Sequence, residues 1–465
     1  MTHQESVAGQ DGPPAQDSTI ERPDVSAPEP WSFPEAHRSE LANGLGVVTY
    51  DIPGQYVISV CLAVPMPLER EPRERDGIAT IMARTLDDGT ARHSAEEFAE
   101  LLERKGIALG AGVNDAGLIV NLDVSKRHLS EALDLLSQAV REPAFPANEV
   151  SRHVKSRLAE IDQERAVPGQ RAAIEFVATY FDADERASRP TAGTKVTVSA
   201  ITPQDLVAFH AANVVPSGAT VVVAGDLSDL DIVSEMEQAL GSWSGEAAEV
   251  GEPHEAVRAA DAIRVVFLDR PGSVQTEFYI GCPGPDHHVQ GGWAPFQVLG
   301  FVVGGSPNAR VDAVLREDKG FTYGIRSGFR TRRRGGMFLT SGSVRADSTV
   351  EALGLLLDIL DTASEGFTQD ETKAGADFIG RTAPGRYATA DTVAEEAAGL
   401  SLEGLTTDFT TANLQALLEV DAAALASAYN RYVTGAWTVV IVGDASLYAE
   451  GVRGLNRGKV TVIPA

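Results

Sequence analysis

A chain of 465 residues exceeds one ordinary hydrophobic core, so two domains of roughly 200 residues each are the natural division. Hydrophobic residues at 43% and charged residues at 23% make a globular composition and exclude a fibrous or wholly disordered chain. The formal net charge of −27 excludes nucleic acid as a partner, because phosphate contacts need a basic surface.

Residues 1–30 combine Pro, Gln, Ser, Asp and Glu with few large apolar side chains, and they read as a disordered tail. They hold no basic stretch followed by an apolar run, and no later window is continuously apolar, so a cytoplasmic protein without a membrane span is expected. Strand patterns follow at Leu45–Tyr50 and Val57–Val64. Residues 77–90, GIATIMARTLDDGT, read as a helix closed by a turn at Asp88-Gly89. A second helix ends in LLERKG, Leu101–Gly106, with Gly in the left-handed position and Lys in the last turn. Then come a strand, Leu118–Val124, helices at His128–Val140, Ala147–Gln163 and Pro203–Ala212, and the β-branched run ATVVVAGD, Ala219–Asp226. The acidic, small-residue segment 246–261 is the expected linker between domains at 31–245 and 262–465.

Beyond the linker the order recurs: strands at Ile263–Leu268 and Glu277–Cys282, a helix ending in LREDKG at Leu315–Gly320, a strand at Gly336–Arg345, helices at Val350–Ala363 and Asp421–Tyr432, and WTVVIVGD at Trp437–Asp444. The two Gly-Asp strands are separated by 437 − 219 = 218 residues and the two Lys-Gly helix ends by 315 − 101 = 214. Short chance matches would not share an offset, so the chain reads as one unit written twice. Strands grouped apart from helices point to α+β units, each a mainly antiparallel sheet packed with helices.

Four smaller features read blandly. Cys61 and Cys282, far apart in apolar strands, are expected to be inert core thiols. His287-His288 lies in a Pro/Gly-rich loop without ligand spacing. VGGSP, Val303–Pro307, reads as a glycine hinge before the helix carrying Val311, Val314 and Leu315. The run RTRRR, Arg330–Arg334, reads as a solvated hairpin end, or else as a lining that meets acidic peptide or a partner.

Residues 77–90 fit a longer frame, G-x-A-H-x-x-E-H followed by G-T, at Gly77, Ala79, Gly89 and Thr90. On these residues the chain resembles the M16 (insulinase, pitrilysin and mitochondrial-processing-peptidase-like) metallopeptidases, above all their short bacterial two-domain subunits. The resemblance implies two tandem M16-type domains forming a half-clamshell. It places the family's two zinc-binding histidines at Thr80 and Arg84, its general-base glutamate at Ala83 and its remaining ligand at Glu160. Zinc needs paired imidazoles, a third ligand and a carboxylate base. The two histidines and the base glutamate are absent and one carboxylate cannot hold zinc, so no metal is expected in this chain, and a salt bridge from Glu160 to Arg84 would be a remnant of the site.

The second domain is similar to the family's Arg/Tyr element in LREDKGFTYGIRSGF, which falls on Arg316 and Tyr323. The resemblance implies that the Arg orients bound peptide and the Tyr donates a hydrogen bond to the oxyanion at a zinc site. The same positions of the first repeat are Leu102 and Leu109. By pattern alone Arg316 would be a surface side chain and Tyr323 a half-buried one. The pairing of a lost metal with a kept clamp implies the zinc-less half of a heterodimeric peptidase, whose His-x-x-Glu-His-bearing sister subunit supplies zinc for cleaving peptides. A catalytically silent scaffold of the same fold is the alternative.

Overall fold

The computed structural model describes residues 26, 30–246 and 253–465. Most of the expected tail and the middle of the expected linker therefore lie outside the described residues. The first half builds a six-stranded sheet from β1 (His37–Glu40), β2 (Gly46–Asp51), β3 (Val57–Pro65), β4 (Ala108–Val113), β5 (Gly117–Ser125) and β6 (Thr220–Gly225), in the order β1-β2-β6-β3-β5-β4. The second half builds its own from β7 (Arg264–Asp269), β8 (Gln275–Gly284), β9 (Ile325–Thr331), β10 (Gly336–Arg345), β11 (Thr438–Gly443) and β12 (Lys459–Pro464), in the order β12-β7-β11-β8-β10-β9.

The sheets are mixed rather than purely antiparallel. β2 runs parallel to β6, and β7 to β11, while β3–β5–β4 and β8–β10–β9 are antiparallel. β6 and β11 are the β-branched Gly-Asp runs, and each sits third in its sheet, buried along nearly its whole length. The halves differ at one edge, where β1 enters antiparallel to β2 but β12 leaves parallel to β7.

The repeated motifs do the same work in both halves. Gly106 and Gly320 close their helices at the same left-handed φ of 63°. The Asp of each Gly-Asp pair accepts a backbone N–H from the turn before the next strand: Gly54 to Asp226 at 2.9 Å and Gly272 to Asp444 at 2.8 Å. A serine two residues further on donates to each carboxylate, Ser228 and Ser446. Cys61 and Cys282 are buried free thiols, and burial pushes both up to about 12.

One face of each sheet packs on helices of its own half, with Leu133 and Leu136 under the first and Leu353, Leu356 and Leu360 under the second. The other face is covered by a helix from the opposite half. Helix Pro168–Tyr180 leaves the first half and lays Ala172, Phe176 and Tyr180 against Val266, Leu268, Val440 and Val442. Helix Ala390–Leu402 makes the return crossing, with Val393, Ala394, Ala397 and Ala398 against Tyr50, Cys61, Val222 and Ala224. Neither helix is among those expected from the sequence: the buried stripe of Ala390–Leu402 is largely alanine and carries little hydrophobic signal, and Pro168–Tyr180 buries only Ala172, Phe176, Thr179 and Tyr180.

Close approach is written into the glycines of the sheets. A Cβ on Gly281 of β8 would lie 2.5 Å from the Phe176 ring, so only glycine lets that ring seat. Phe176→Ala should therefore cost about 3–5 kcal/mol, read as a lowered denaturation midpoint. A loss near zero would mean that the crossing helix is not part of the cooperative core.

Candidate functional site

The helix of the frame spans Ile78–Arg84, and its retained small residues are the ones that fold the loop. Gly77 sits at φ 95°, where a Cβ would meet the Ala192 carbonyl oxygen at 2.8 Å. Gly89 turns at φ 101°, and Thr90 donates to Gln138 at 3.2 Å. Four charged side chains pin the entrance to the helix. Glu71 accepts the N–H groups of Gly77 and Ala79 at 3.1 and 3.0 Å with one oxygen, and Arg186 at 3.0 and 2.7 Å with the other. Asp76 lies between Arg186 and Arg189, and Arg186 also donates to the carbonyls of Arg189, Pro190 and Thr191. The Glu71 and Arg186 side chains are 0% and 5% exposed, so neither can turn to solvent if its partner is lost.

At the positions that would carry metal chemistry, Ala83 is buried and Thr80 Oγ1 is shut away with no hydrogen-bond partner among the described residues. Arg84 makes a bidentate pair with Glu160 on helix Ala147–Ala166, Nη1 to Oε1 at 2.8 Å and Nη2 to Oε2 at 3.0 Å. Arg157 donates to the same carboxylate at 3.2 Å and to Glu164 at 2.9 Å. The Arg84 guanidinium, helped by Arg157 against partial burial, holds the Glu160 carboxyl below its ordinary range. The Arg84 and Glu160 side chains are 34% and 39% exposed, so the pair is worth less than about 1 kcal/mol. It fills the site, whereas the buried Glu71 cluster holds the helix. A hydroxyl, a methyl group and a guanidinium with both carboxylate oxygens engaged do not fit zinc.

Arg316 and Tyr323 both precede β9, Arg316 on a helix and Tyr323 in the loop that follows it. A short helix, Arg310–Asp312, widens into a π-helical stretch, Ala313–Asp318, and closes at Gly320. The chain from there is fastened on both sides of Tyr323. The Phe321 N–H donates to the Leu315 carbonyl at 2.9 Å, and Thr322 Oγ1 donates to the Ser343 carbonyl at 2.6 Å. Buried Asp312 accepts the Ile325 N–H at 2.9 Å and Arg326 at 2.7 Å. Tyr323 is 95% exposed, which overturns the half-buried reading. The Arg316 guanidinium makes one ion pair among the described residues, with its neighbour Glu317 at 3.4 Å. In the first half Leu102 is buried and Leu109 packs against the core. No hydrogen bond or ion pair among the described residues joins the Arg316/Tyr323 element to the Arg84–Glu160 pair.

Two bland readings need correction. VGGSP is not a hinge loop, since Phe301–Gly305 continues the helix Ala294–Gly300 as a π turn. A Cβ on Gly304 would lie 2.5 Å from Ser327 Oγ, so the glycine lets that turn rest on β9. The arginine run does end a hairpin, but it is not simply solvated: Arg332 crosses to the first half, 3.4 Å from Asp115 and over the Phe181 ring at 5.4 Å. His287 and His288 hold the end of a crossing helix, His287 Nδ1 at 2.7 Å from Glu403 and His288 Nε2 at 3.0 Å from its carbonyl. The Glu71–Arg186 cluster escaped sequence reasoning, because a separation of 115 residues carries no local signal.

Two measurements bear on the helix entrance and the vacated metal positions. Arg186→Met should cost about 3–5 kcal/mol by stranding Glu71, and a midpoint unchanged in urea would contradict that. The triple variant T80H/A83E/R84H should take up zinc, with Glu160 completing the set, while the parent chain stays metal-free by elemental analysis. A folded but zinc-free triple variant would count against the positional assignment.

Comparison with known proteins gives concordant results. The profile of insulinase (peptidase family M16) matches residues 47–195, and that of the peptidase M16 inactive domain matches residues 200–376, well over half of the chain together. An uncharacterized zinc protease of Mycobacterium leprae is 23% identical over 337 residues, 72% of this chain and 75% of the relative. The non-peptidase homolog YmxG of Helicobacter pylori is 26% identical over 318 residues, 67% of this chain and 72% of the relative. Among solved structures, a peptidase M16 inactive domain from Pseudomonas fluorescens superposes with TM-score 0.80 at 21% identity, covering 88% of this chain and 98% of that one. A protease from Helicobacter pylori superposes with TM-score 0.79 at 17% identity, covering 88% and 100%.

Proposed function

The chain belongs to the M16 peptidase family, and on that premise we propose that it is the zinc-less subunit of a heterodimeric peptidase. A sister subunit bearing His-x-x-Glu-His holds the metal and activates water. This chain contributes Arg316, to orient the backbone of a peptide or unfolded segment, and Tyr323, to donate to the oxyanion. The observation that carries the reading is Tyr323 itself: a phenol 95% exposed on a segment tied down on both sides, where the first repeat has a packed leucine. A tied-down donor with no acceptor among the described residues suits a role in trans, because preorganised donors stabilise developing charge without reorganising.

The Arg84–Glu160 pair supports the other half of the proposal, that this chain cleaves nothing alone. No helix among the described residues is long and apolar enough to cross a membrane, in keeping with the proposed cytoplasmic site of action. The scaffold reading draws on the relative named a non-peptidase homolog and on the contact of Arg316 with Glu317, which gives that guanidinium a local partner.

The test is peptidase activity on an unstructured peptide library with this chain, a co-encoded His-x-x-Glu-His chain, and their mixture, with and without chelator. Activity confined to the mixture and abolished by chelation is expected. Tyr323→Phe should lower the turnover of the assembled pair by about 10²–10³ without loss of assembly. A zinc-loaded pair that assembles and stays silent would establish the scaffold instead.

A further inference from the structure

The chain carries 66 acidic and 39 basic side chains, so an arginine rarely lacks a carboxylate within reach. The β9–β10 hairpin gathers three arginines without a carboxylate partner among the described residues. Its turn is built from Arg332, Arg333, Arg334 and Gly335, closed by the Arg332 N–H donating to the Gly335 carbonyl at 3.0 Å, with Gly335 at φ 68° and its N–H held by Asp286 at 2.9 Å. Arg332 alone has an ion pair, with Asp115. Arg330, Arg333 and Arg334 make no ion pair or side-chain hydrogen bond among the described residues, and Arg333 and Arg334 are half-buried. Arg70, across the junction of the two halves, has its pKa drawn down by burial and then by the charge of Arg333.

The cluster borders two cavities. One, of about 210 Å³, is lined by Arg332, Arg334, Arg258, Glu255, Tyr180 and Phe181. The other, of about 230 Å³, has a wall of Ala173, Ile174 and Val177 from the crossing helix, with Arg189 and Arg332 at its rim. Glu255 makes no ion pair among the described residues. Of the guanidinium groups that line the cavities, Arg332 and Arg189 are paired with Asp115 and Asp76, whereas Arg334 makes no ion pair or side-chain hydrogen bond among the described residues.

We infer that this junction binds an acidic polypeptide segment, its carboxylates on Arg330, Arg333 and Arg334 and its apolar side chains in the flanking cavities. The inference rests on the proposed peptide-handling role and gives it a substrate class. Planar guanidinium forks match carboxylates. A nucleic acid meets the repulsion of the whole negative chain, whereas a short acidic segment responds mainly to the local charge. Tyr323 and the arginine turn lie at opposite ends of β9, about 20 Å of extended chain apart. A polypeptide engaging both would carry its acidic residue roughly six positions from the bond at Tyr323.

The experiment is fluorescence anisotropy of a labelled peptide of Glu, Leu and Ser, and of its Gln counterpart, on the full chain alone. Three carboxylate–guanidinium pairs, none of them fully buried, should favour the Glu peptide about tenfold, with the preference shrinking as salt is raised. R330Q/R333Q/R334Q should abolish the preference, and R330K/R333K/R334K, which keeps the charge, should retain most of it. Equal binding of the two peptides, or a preference unchanged in the glutamine variant with its melting curve intact, would overturn the inference. So would an oligonucleotide competing as well as the Glu peptide. Neither partner nor zinc enters this measurement, so a silent peptidase mixture leaves it standing, and its failure leaves the split-site reading standing.

Discussion

Each half of this protein covers the outer face of its sheet with a helix drawn from the other half, and the remaining architecture depends on that exchange. Phe176 seated over Gly281, and the alanine stripe of Ala390–Leu402 against Tyr50 and Val222, bury faces that would otherwise be apolar and open. The first crossing also fixes the segment downstream of it. The chain leaving helix Pro168–Tyr180 supplies Arg186, Arg189 and Ala192, the groups that close around Gly77 and Glu71. The position of the frame helix in the first half is thus fixed by a segment that has just packed on the second.

That dependence separates fold from chemistry in residues 77–90. Gly77, Ala79, Gly89 and Thr90 answer to backbone geometry and the buried charge cluster, and all four are present. Ala83 is packed in the core, Thr80 leaves its Oγ1 without a hydrogen-bond partner among the described residues, and the Arg84–Glu160 pair is a weak, partly solvated bridge. The start of the helix is held by the buried ion cluster rather than by that pair.

The two halves share strand order, left-handed helix closures and Gly-Asp turns, yet diverge in what they present to solvent. Where the first repeat packs Leu102 and Leu109, the second exposes Tyr323 and leaves Arg316 half-buried. The second also carries the arginine turn whose Arg332 reaches Asp115 of the first half. Duplication supplied a common frame, and on the second copy Tyr323 and the arginine turn stand at the two ends of a single edge strand.

By itself the sequence determined the duplication, most strands to within a residue or two, and the left-handed glycines. These are local: β-branched periodicity, glycine conformation and side-chain identity act over a few residues. It also paired Arg84 with Glu160, because a frame with known partners converts positions into a contact. Only the tertiary structure decided the helix exchange, the Glu71–Arg186 cluster, the exposure of Tyr323 and the half-burial of the arginine turn. Each is a relation between segments remote in sequence, and the alanine, arginine and glutamate side chains involved look the same in sequence whether they face solvent or the other half of the chain.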